Sequence, residues 1–300
     1  MKALVFGSLN IDYVYQVPHF VEKGETLASG SFHRFCGGKG LNQAIALSRA
    51  GMKTYMAGAI GPEGDFLLKA LQDSGVDTGF VEMTEVPTGH AIIQNSPDGD
   101  NAILLFGGAN RSISEKQAEV VLSAFEQGDL LLVQNEISSL PAILRIARDK
   151  GLRIALNPSP MELPLMRELL EFSEFLILNL VEASQLMQED NSNPDNVLDS
   201  LCRLWPEKKI VLTLGGEGAI YAEGTLCFRQ SAFPVKAVDT TGAGDTFTGF
   251  FLAAFFQGGD PLLSLRTAAA AAAIAVTRQG AAPAIPDWKE TQDFLARQSS

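Results

Sequence analysis

The feature that most constrains the fold is a repeated order of short apolar run, turn and helical pattern. Several of the runs lack polar/apolar alternation, which indicates strands covered on both faces, and strands that alternate with helices indicate parallel pairing with crossover helices. The sequence therefore predicts an α/β fold, with a mostly parallel sheet and helices on both faces. The predicted strands are 3–6, 54–59, 130–134, 153–156, 175–178 and 210–214, and the predicted helices are 41–50, 65–74, 114–127, 140–150, 181–188 and 195–204.

Small residues support several of these helices. Gly51, Gly75, Gly128 and Gly151 each follow a helical pattern, the position that a C-terminal cap takes. The alanine run 268–273 predicts a closely packed helix, because alanine has the highest helix propensity.

Two stretches, 12–35 and 88–106, break this rhythm and have the alternation of half-buried strands. The second folds about Pro-Asp-Gly-Asp at 97–100, which indicates a hairpin. Together they predict either a small discontinuous sheet that stands off the main one or an extension of the main sheet at its edge.

Composition excludes several classes of function. The chain has 23 Lys and Arg against 35 Asp and Glu, a net charge of −12, so neither nucleic acid nor an anionic membrane is an expected partner. The longest apolar stretches, 247–256 and 268–276, are shorter than the roughly 18 residues of a membrane span, and the cytoplasm is the expected location. Cys36, Cys202 and Cys227 have no CxxC spacing, which argues against a disulfide framework and a structural zinc site.

The strongest local motif is Asp-Thr-Thr-Gly-Ala-Gly-Asp-Thr-Phe at 239–247, directly before an apolar helical pattern. Gly242 and Gly244 allow backbone N–H groups to converge at a helix N-terminus, where the helix dipole favours an anion. Asp245 follows them, and a carboxylate that is ionised at neutral pH accepts the proton of a substrate hydroxyl. A base beside an anion hole is an arrangement for phosphoryl transfer. Taken alone, the motif fits equally well a helix whose N-cap is Asp245.

A second glycine-rich segment, 35–43, opens another predicted helix. It is not a Walker A loop, because Lys39 is followed by Gly40 and not by Ser or Thr. Its glycines permit close approach of a small polar ligand, with Lys39 and Asn42 as donors. By itself the segment favours the simpler interpretation, a tight turn between strand and helix with a solvated lysine.

Polar residues also follow several predicted strands. Asn10 and Asp12 come after the first strand, where they are able either to contact sugar hydroxyls or to form a turn. Asn157, 179–182 and 214–218 follow later strands, and the carboxyl ends of parallel strands meet at one edge of a sheet. The last segment, Leu-Gly-Gly-Glu-Gly, is not the GxGxxG pattern of a dehydrogenase.

These motifs, in this order along the chain, resemble those of the ribokinase (PfkB-type) family of carbohydrate kinases. The resemblance runs from about residue 5 to Pro286, and its two glycine motifs, 37–42 and 239–245, are specific in combination. The other motifs that carry it are 7–12, 107–110, 157–160, 179–182, 213–218 and 273–280.

The resemblance implies an enzyme that transfers the γ-phosphoryl group of ATP, with Mg²⁺, to a sugar hydroxyl. It implies a ribokinase-like fold with a nucleotide-binding catalytic domain (1–10, 40–87 and 107–300) and a β lid (11–39 and 88–106) that also forms a homodimer contact. Ribose, giving ribose 5-phosphate, is the first acceptor to consider. Another pentose, a hexose, a nucleoside or a sugar acid stay as alternatives, and so does a catalytically silent sugar or nucleotide sensor, against which Asp245 argues.

Carried over position by position, the resemblance gives each group of residues a role. Asp245 looks like the general base, and Gly242, Ala243 and Gly244 look like the anion hole. The residues that look like the sugar site are Asn10, Asp12, Gly38, Lys39, Asn42 and Glu136. Those that look like nucleotide contacts are Asn179, Thr213, Gly215 and Gly218, with Glu182 as an orienter of Mg²⁺ and phosphate. Those that look like a loop holding K⁺, mostly through carbonyl oxygens, are Asp239, Thr241, Ala275, Arg278, Gly280 and Ala284.

A few positions depart from the family pattern. Ala269 stands where these kinases often carry a polar residue near the adenine, and Ala284 replaces the usual serine of the cation loop. Neither departure removes catalytic chemistry, so they bear on nucleotide affinity and on the response to cations. In the lid, 94–95 and Phe106 also differ from the pattern expected of ribose enzymes, which keeps the choice of sugar open.

Overall fold

The computed structural model describes residues 1–98, 100–190 and 193–298, and these form two β-sheets with helices packed around the larger one. The strands are β1 Ala3–Phe6, β2 Asn10–Gln16, β3 Ser31–Gly37, β4 Thr54–Ile60, β5 Asp77–Met83, β6 Gly89–Asn95, β7 Asn101–Phe106, β8 Leu130–Gln134, β9 Arg153–Asn157, β10 Phe175–Asn179, β11 Lys209–Thr213, β12 Ala219–Glu223 and β13 Leu226–Gln230. The helices are α1 Lys39–Arg49, α2 Asp65–Asp73, α3 Glu115–Ser123, α4 Leu140–Asp149, α5 Leu163–Leu170, α6 Leu180–Met187, α7 Pro194–Leu204, α8 Ala243–Gly258, α9 Pro261–Ala275 and α10 Trp288–Gln298.

The larger sheet has nine strands in the order β13-β12-β11-β10-β9-β8-β1-β4-β5. Pairing is parallel from β11 to β5, and only β12 and β13 are antiparallel. Apolar side chains of the inner strands are buried on both faces, in two separate core clusters. The predicted α/β class with helices on both faces is therefore confirmed. The strand order reverses between β1 and β8, which is where an open sheet of this kind leaves a crevice for a ligand.

Each of the predicted strands is present to within a residue at either end, but the sequence patterns missed others. The strands β5, β12 and β13 and the helices α5 and α10 were missed; polar residues interrupt the apolar pattern of β5. The helix predicted over 114–127 is wrong at its end: α3 stops at Ser123, so Gly128 follows a turn and caps no helix. Gly51, Gly75 and Gly151 do follow helix ends, with φ of 88°, 79° and 73°, and they accept the left-handed backbone that such caps need.

The two alternating stretches form a separate four-stranded sheet in the order β3-β2-β6-β7, so the structure contains the discontinuous sheet and not an edge extension. The antiparallel pair β6–β7 forms the predicted hairpin, with Asn95 opposite Asn101; Gly99 of its predicted turn lies outside the described residues. The prediction of strand structure over the whole of 12–35 is wrong, since residues 17–30 between β2 and β3 are irregular.

Helices α1 and α8 lie unusually close together, and this contact positions the residues with chemical function. A Cβ at Gly249 of α8 would lie 2.8 Å from the backbone nitrogen of Leu47 in α1, so only glycine fits there. Asp245 lies one turn before Gly249, and Asn42 and Gln43 lie about one turn before Leu47. The helix contact therefore brings Asp245 next to Asn42 and Gln43, which are 203 and 202 positions away in the sequence.

In the ranges that the structure describes, no helix is long and apolar enough to cross a membrane. The two apolar stretches noted in the sequence belong to α8 and α9, which pack against each other and against the sheet. The alanine run 268–273 lies within α9, where all of its residues except Ala272 are buried.

Candidate active site

A cleft of about 600 Å³ opens at the carboxyl ends of the parallel strands. It is lined by ten of the residues that the resemblance assigned to the base, the anion hole, the sugar site or the nucleotide site: Lys39, Asn179, Glu182, Thr213, Gly215, Gly218, Gly242, Ala243, Gly244 and Asp245. The cleft also has an apolar side, formed by 233–235 and by Ala269, Ala272 and Ala273. A mostly apolar cleft with polar groups at one end is typical of a site for a small molecule.

The N-terminus of α8 forms the polar floor of this cleft. Gly242 is the residue before the helix, with φ of 73°, and a Cβ there would lie 2.8 Å from the Cβ of Ala281, so glycine is required. A Cβ on Gly244 would meet nothing within 4 Å, which leaves its backbone open to a ligand. The N–H of Ala243 donates to the carbonyl of Thr240 at 3.2 Å. One of the three donors predicted for the anion hole is thus already engaged in a turn.

Asp245 lies in the first turn of α8 and does not cap it. The cap residue is Gly242, so the N-cap interpretation of Asp245 is wrong. Instead, Oδ2 of Asp245 accepts from Nδ2 of Asn42 at 3.0 Å, and Oδ1 accepts from Nε2 of Gln43 at 2.8 Å. The carboxylate is buried and is held by two amides of α1.

Beneath Asp245 lies a chain of buried amides, of which the sequence analysis named Asn157 but neither Gln43 nor Gln134. Gln43 also donates to Oδ1 of Asn157 at 3.0 Å, and Nε2 of Gln134 donates to Oε1 of Gln43 at 2.6 Å. Gln43 is visible in the glycine-rich segment 35–43, but no local pattern connects it to Gln134 or to Asp245.

Other acidic groups surround Asp245 on the side of the smaller sheet. Burial, together with the charges of Glu136 and Asp245, raises the pKa of Asp12 from 3.8 to about 7. Burial also raises the pKa of Glu136, although Ser8 Oγ donates to it and Lys39 is nearby. Burial opposes the charge of Lys39, but Asp245, Glu136 and Glu182 outweigh this effect and raise its pKa. Lys39 is therefore not the solvated lysine of the simpler interpretation.

The remaining predicted sugar-site residues lie next to this cluster and outside the cleft lining. Gly38 precedes α1 with φ of 94°, and a Cβ there would lie 2.8 Å from the carbonyl oxygen of Ser8. Asn10 is buried at the start of β2, where its Oδ1 accepts from Nδ2 of Asn110 at 2.7 Å. Asn110 also bonds both backbone groups of Leu9, so it joins the smaller sheet to the body of the protein.

The predicted nucleotide contacts line the cleft at the carboxyl ends of β10 and β11. Asn179 and Glu182 form a reciprocal capping box at the start of α6: Asn179 Oδ1 accepts from the Glu182 N–H at 2.8 Å, and Glu182 Oε2 accepts from the Asn179 N–H at 3.0 Å. Gly215 and Gly218 have φ of 57° and 110°, which few other residues adopt. These glycines bring the backbone after β11 to the edge of the cleft.

The predicted cation residues lie outside the cleft, in two segments that contact each other. Oδ1 of Asp239 accepts from the N–H and hydroxyl of Thr241, and Oδ2 accepts from the N–H of Gly280 at 2.9 Å. Arg278 pairs with Glu290 at 2.7 Å. Among the described residues, no group of three His, Cys, Asp or Glu side chains is placed to hold a metal ion.

Comparison with known proteins gives consistent matches over nearly the whole chain. A model of the pfkB family of carbohydrate kinases matches residues 1–288. Ribokinase from Haemophilus influenzae is 34% identical over 298 residues, covering 97% of this chain and 97% of that protein. The structure of Arabidopsis thaliana ribokinase complexed with ribose and ATP has a TM-score of 0.88 at 31% identity, over 98% of each chain. That of Cryptococcus neoformans ribokinase in complex with ADP has a TM-score of 0.85 at 33% identity, over 97% of this chain and 99% of that chain.

The raised pKa of Asp12 predicts that stability falls with pH. A folded-state pKa above the ordinary value means that folding favours protonated Asp12, so this stabilisation is fully present below about pH 4 and is lost as pH rises through about 7. The shift corresponds to at most about 4 kcal/mol. We expect Asp12→Asn to increase the free energy of unfolding at pH 8 and to flatten its decrease between pH 5 and 8, measured by urea unfolding. Asp73→Asn, on the exposed surface of α2, is the control, and an unchanged slope in Asp12→Asn would contradict the prediction.

Proposed function

The chain belongs to the pfkB family of carbohydrate kinases, and we propose that it transfers the γ-phosphoryl group of ATP to ribose, giving ribose 5-phosphate. It is an ATP-dependent phosphotransferase, as its family and its relatives indicate. The family predicted from the sequence motifs is confirmed. The observation that carries the proposal is the buried Asp245 carboxylate. It lies at the N-terminus of α8, between the cleft and the carboxyl groups of Asp12 and Glu136.

In this proposal Asp245 is the general base. It accepts the proton of the sugar hydroxyl as that oxygen bonds to the γ-phosphorus, while the bond to the bridging oxygen breaks and ADP leaves. Asn42 and Gln43 hold the carboxylate through one oxygen each. The backbone at 242–244 and the charged amine of Lys39 face the phosphate on which negative charge develops.

The sugar site is proposed to lie between Asp245 and the smaller sheet. Oδ1 of Asn42 is buried and has no hydrogen-bond partner in the described part of the chain, a position that suits acceptance from a sugar hydroxyl. Because Oδ1 of Asn10 accepts from Asn110, Nδ2 of Asn10 is the group left to donate. Asp12 and Glu136 add carboxyl groups that accept from hydroxyls or, when protonated, donate to them.

The nucleotide is proposed to occupy the cleft on the other side of Asp245. The apolar wall formed by 233–235 and Ala269 suits the adenine ring, and Asn179 and Thr213 supply polar groups at its edge. Ala269, which departs from the family pattern, has a small side chain that offers no hydrogen bond to adenine.

The residues present fit a bound Mg²⁺. Mg²⁺ is usually held by one or two carboxylates together with phosphates and water, and the carboxylate of Glu182 lines the cleft. One oxygen of Glu182 already accepts from the Asn179 N–H, so the other is available for this role. When bound, Mg²⁺ neutralises charge on the β- and γ-phosphates.

A monovalent cation, K⁺, is proposed for the two segments around Asp239 and Gly280. The segments are joined by the hydrogen bond from Gly280 to Asp239 and by the N–H groups of Val238 and Asp239, which donate to the carbonyl of Val276. Backbone carbonyls of such loops are suitable ligands for K⁺. Ala281 packs against Gly242, so a cation here would stiffen the loop that carries the anion hole.

The smaller sheet is proposed as a lid that also forms a homodimer. Strand register places Phe35 and, through β6, Leu105 and Ile103 on the face that bears Asp12. Ile103 and Leu105 are 59% and 46% exposed, and β7 is an edge of its sheet. An exposed apolar face beside an open strand edge indicates a contact with another chain. Since ATP is the phosphoryl donor, a cytoplasmic location is part of the proposal.

The base assignment predicts a large loss of turnover in Asp245→Asn. General-base catalysis supplies about 10² to 10⁴ in rate, so kcat should fall at least about 100-fold, while ATP binding measured by calorimetry is retained. Release of ADP is measured with ribose, 2-deoxyribose, a hexose and a nucleoside. Asp65→Asn, an exposed aspartate in the first turn of α2, is the matched control. Full activity in Asp245→Asn would refute the assignment of Asp245 as the base. If the wild-type protein released no ADP with any acceptor, the catalytically silent sensor would be favoured instead.

The cation loop predicts that K⁺ increases activity. We expect kcat/KM to be higher in K⁺ than in tetramethylammonium at equal ionic strength, and the increase to be larger in Ala284→Ser, because that hydroxyl adds an oxygen ligand. A response that is flat in both proteins would show that the loop binds no cation.

The lid contact predicts a mass of twice 32.1 kDa in solution. Ile103→Asp combined with Leu105→Asp places two charges on the apolar face and should give the mass of one chain by light scattering. Leu104→Asp is the matched control, because Leu104 is 67% exposed on the opposite face of β7. Dissociation by the control variant alone would assign the contact to the other face.

A further inference from the structure

Three buried amides beneath Asp245 are not explained by the contacts proposed for sugar or nucleotide. Gln43 and Gln134 have no exposed surface, and Asn157 is 8% exposed. Gln43 is followed in α1 by the buried apolar residues Ala44 and Ile45. A buried amide destabilises the fold unless its donors and acceptors are paired, and an apolar side chain of equal size would fill the space without that requirement.

The orientation of each amide is set by its neighbours. The carboxylate of Asp245 and the backbone carbonyl of Ile177 only accept, and they stand at two ends of the chain of hydrogen bonds. Gln43 must therefore direct Nε2 at Asp245, and Asn157 must direct Nδ2 at Ile177, a bond of 2.9 Å. Asn157 Oδ1 then accepts from Gln43, and Gln43 Oε1 accepts from Gln134. Rotating any of these amides by 180° would bring oxygen against oxygen.

The chain of amide hydrogen bonds ends at Gln134, where one buried polar atom is left unpaired. Oε1 of Gln134 is buried and has no hydrogen-bond partner in the ranges described. A Cβ on Gly7 would collide with this oxygen and would also lie 2.8 Å from the Cα of Gly40, so the glycine after β1 leaves room both for the amide and for the backbone of α1. A network that served packing alone would not need a buried, unpaired oxygen.

We propose that Gln43 is a positioning residue for Asp245: its amide, held by Gln134 at Oε1 and by Asn157 at Nε2, keeps the carboxylate in one orientation. The inference rests on the proposed function, because it requires Asp245 to act as the base. Loss of this donor leaves the charge of Asp245 less stabilised and its side chain less restrained. Proton transfer from the sugar should then slow without weakening the binding of either substrate.

Several charged groups face Asp245 and enter any pH profile. They are Asp12 from β2, Glu136 after β8, and Lys39 from α1, with Glu182 of α6 acting on Lys39. None of them is altered by a substitution at position 43. A difference in the acid limb of the kcat profile between wild type and a Gln43 variant therefore reports on the amide that was removed.

The test is Gln43→Met, with kcat, both KM values and the pH dependence of kcat measured for ribose and ATP. One hydrogen bond to a charged group corresponds to about a tenfold change or more, so we expect kcat to fall about tenfold. Both KM values should stay within about twofold, and the acid limb should move to higher pH. The matched control is Gln134→Met, which removes a buried amide of the same chain that does not touch Asp245. It leaves the hydrogen bond from Gln43 to Asp245 in place, so thermal stability should fall while the acid limb moves less than in Gln43→Met.

A second variant covers the case in which Gln43→Met does not fold. Gln43→Glu has nearly the same shape and places a second carboxyl beside Asp245, so its acid limb should also move to higher pH. An unmoved acid limb in a folded Gln43 variant, or an equal shift in Gln134→Met, would overturn the inference. If Asp245→Asn kept full activity, the proposed function of Asp245 as the base would be rejected. If Asp245→Asn were inactive but a folded Gln43 variant had wild-type kinetics, only the positioning role of Gln43 would be rejected.

Discussion

The close contact of α1 and α8 is the constraint on which the site depends. Gly249 allows the two backbones to approach, and the helices then run side by side with both N-termini at the same edge of the sheet. Two positive helix ends converge where β1 and β8 leave a crevice. Asp245 is buried in this contact and accepts from both Asn42 and Gln43. Without the approach of the helices, the carboxylate would have neither its donors nor its place beside the cleft.

Positive groups close to the cleft act locally, and they oppose the net negative charge of the whole chain. A net charge of −12 repels an anionic nucleotide at long range, and Asp12, Glu136 and Glu182 add negative charge near the cleft. Lys39 and the N-terminus of α8 are the positive groups that offset this repulsion. The raised pKa values of Asp12 and Glu136 show that the fold holds carboxyl groups where ionisation is unfavourable, an arrangement that sacrifices stability for binding groups.

Much of the candidate site is foreseeable from local pattern, and the errors have physical causes. The glycines at 242 and 38 were recognised because positive φ and close approach restrict those positions to glycine. The N-cap interpretation of Asp245 and the solvated interpretation of Lys39 fit their local sequence and are wrong, because partners distant in the chain decide what each side chain contacts. Gln134 has no local signal at all, since a glutamine at the end of an apolar strand is equally compatible with solvent.

The amino-acid sequence by itself determined the order of elements, the α/β class and the glycine motifs that identify the family. These follow from hydrophobic periodicity and from backbone restrictions, both of which act between neighbouring residues. Tertiary structure alone decided that the Ala243 N–H is engaged by Thr240, and that Gln43 joins Gln134 and Asn157 to Asp245. Hydrogen bonds between side chains 91 to 202 positions apart depend on how helices and strands pack, and no local pattern carries that information.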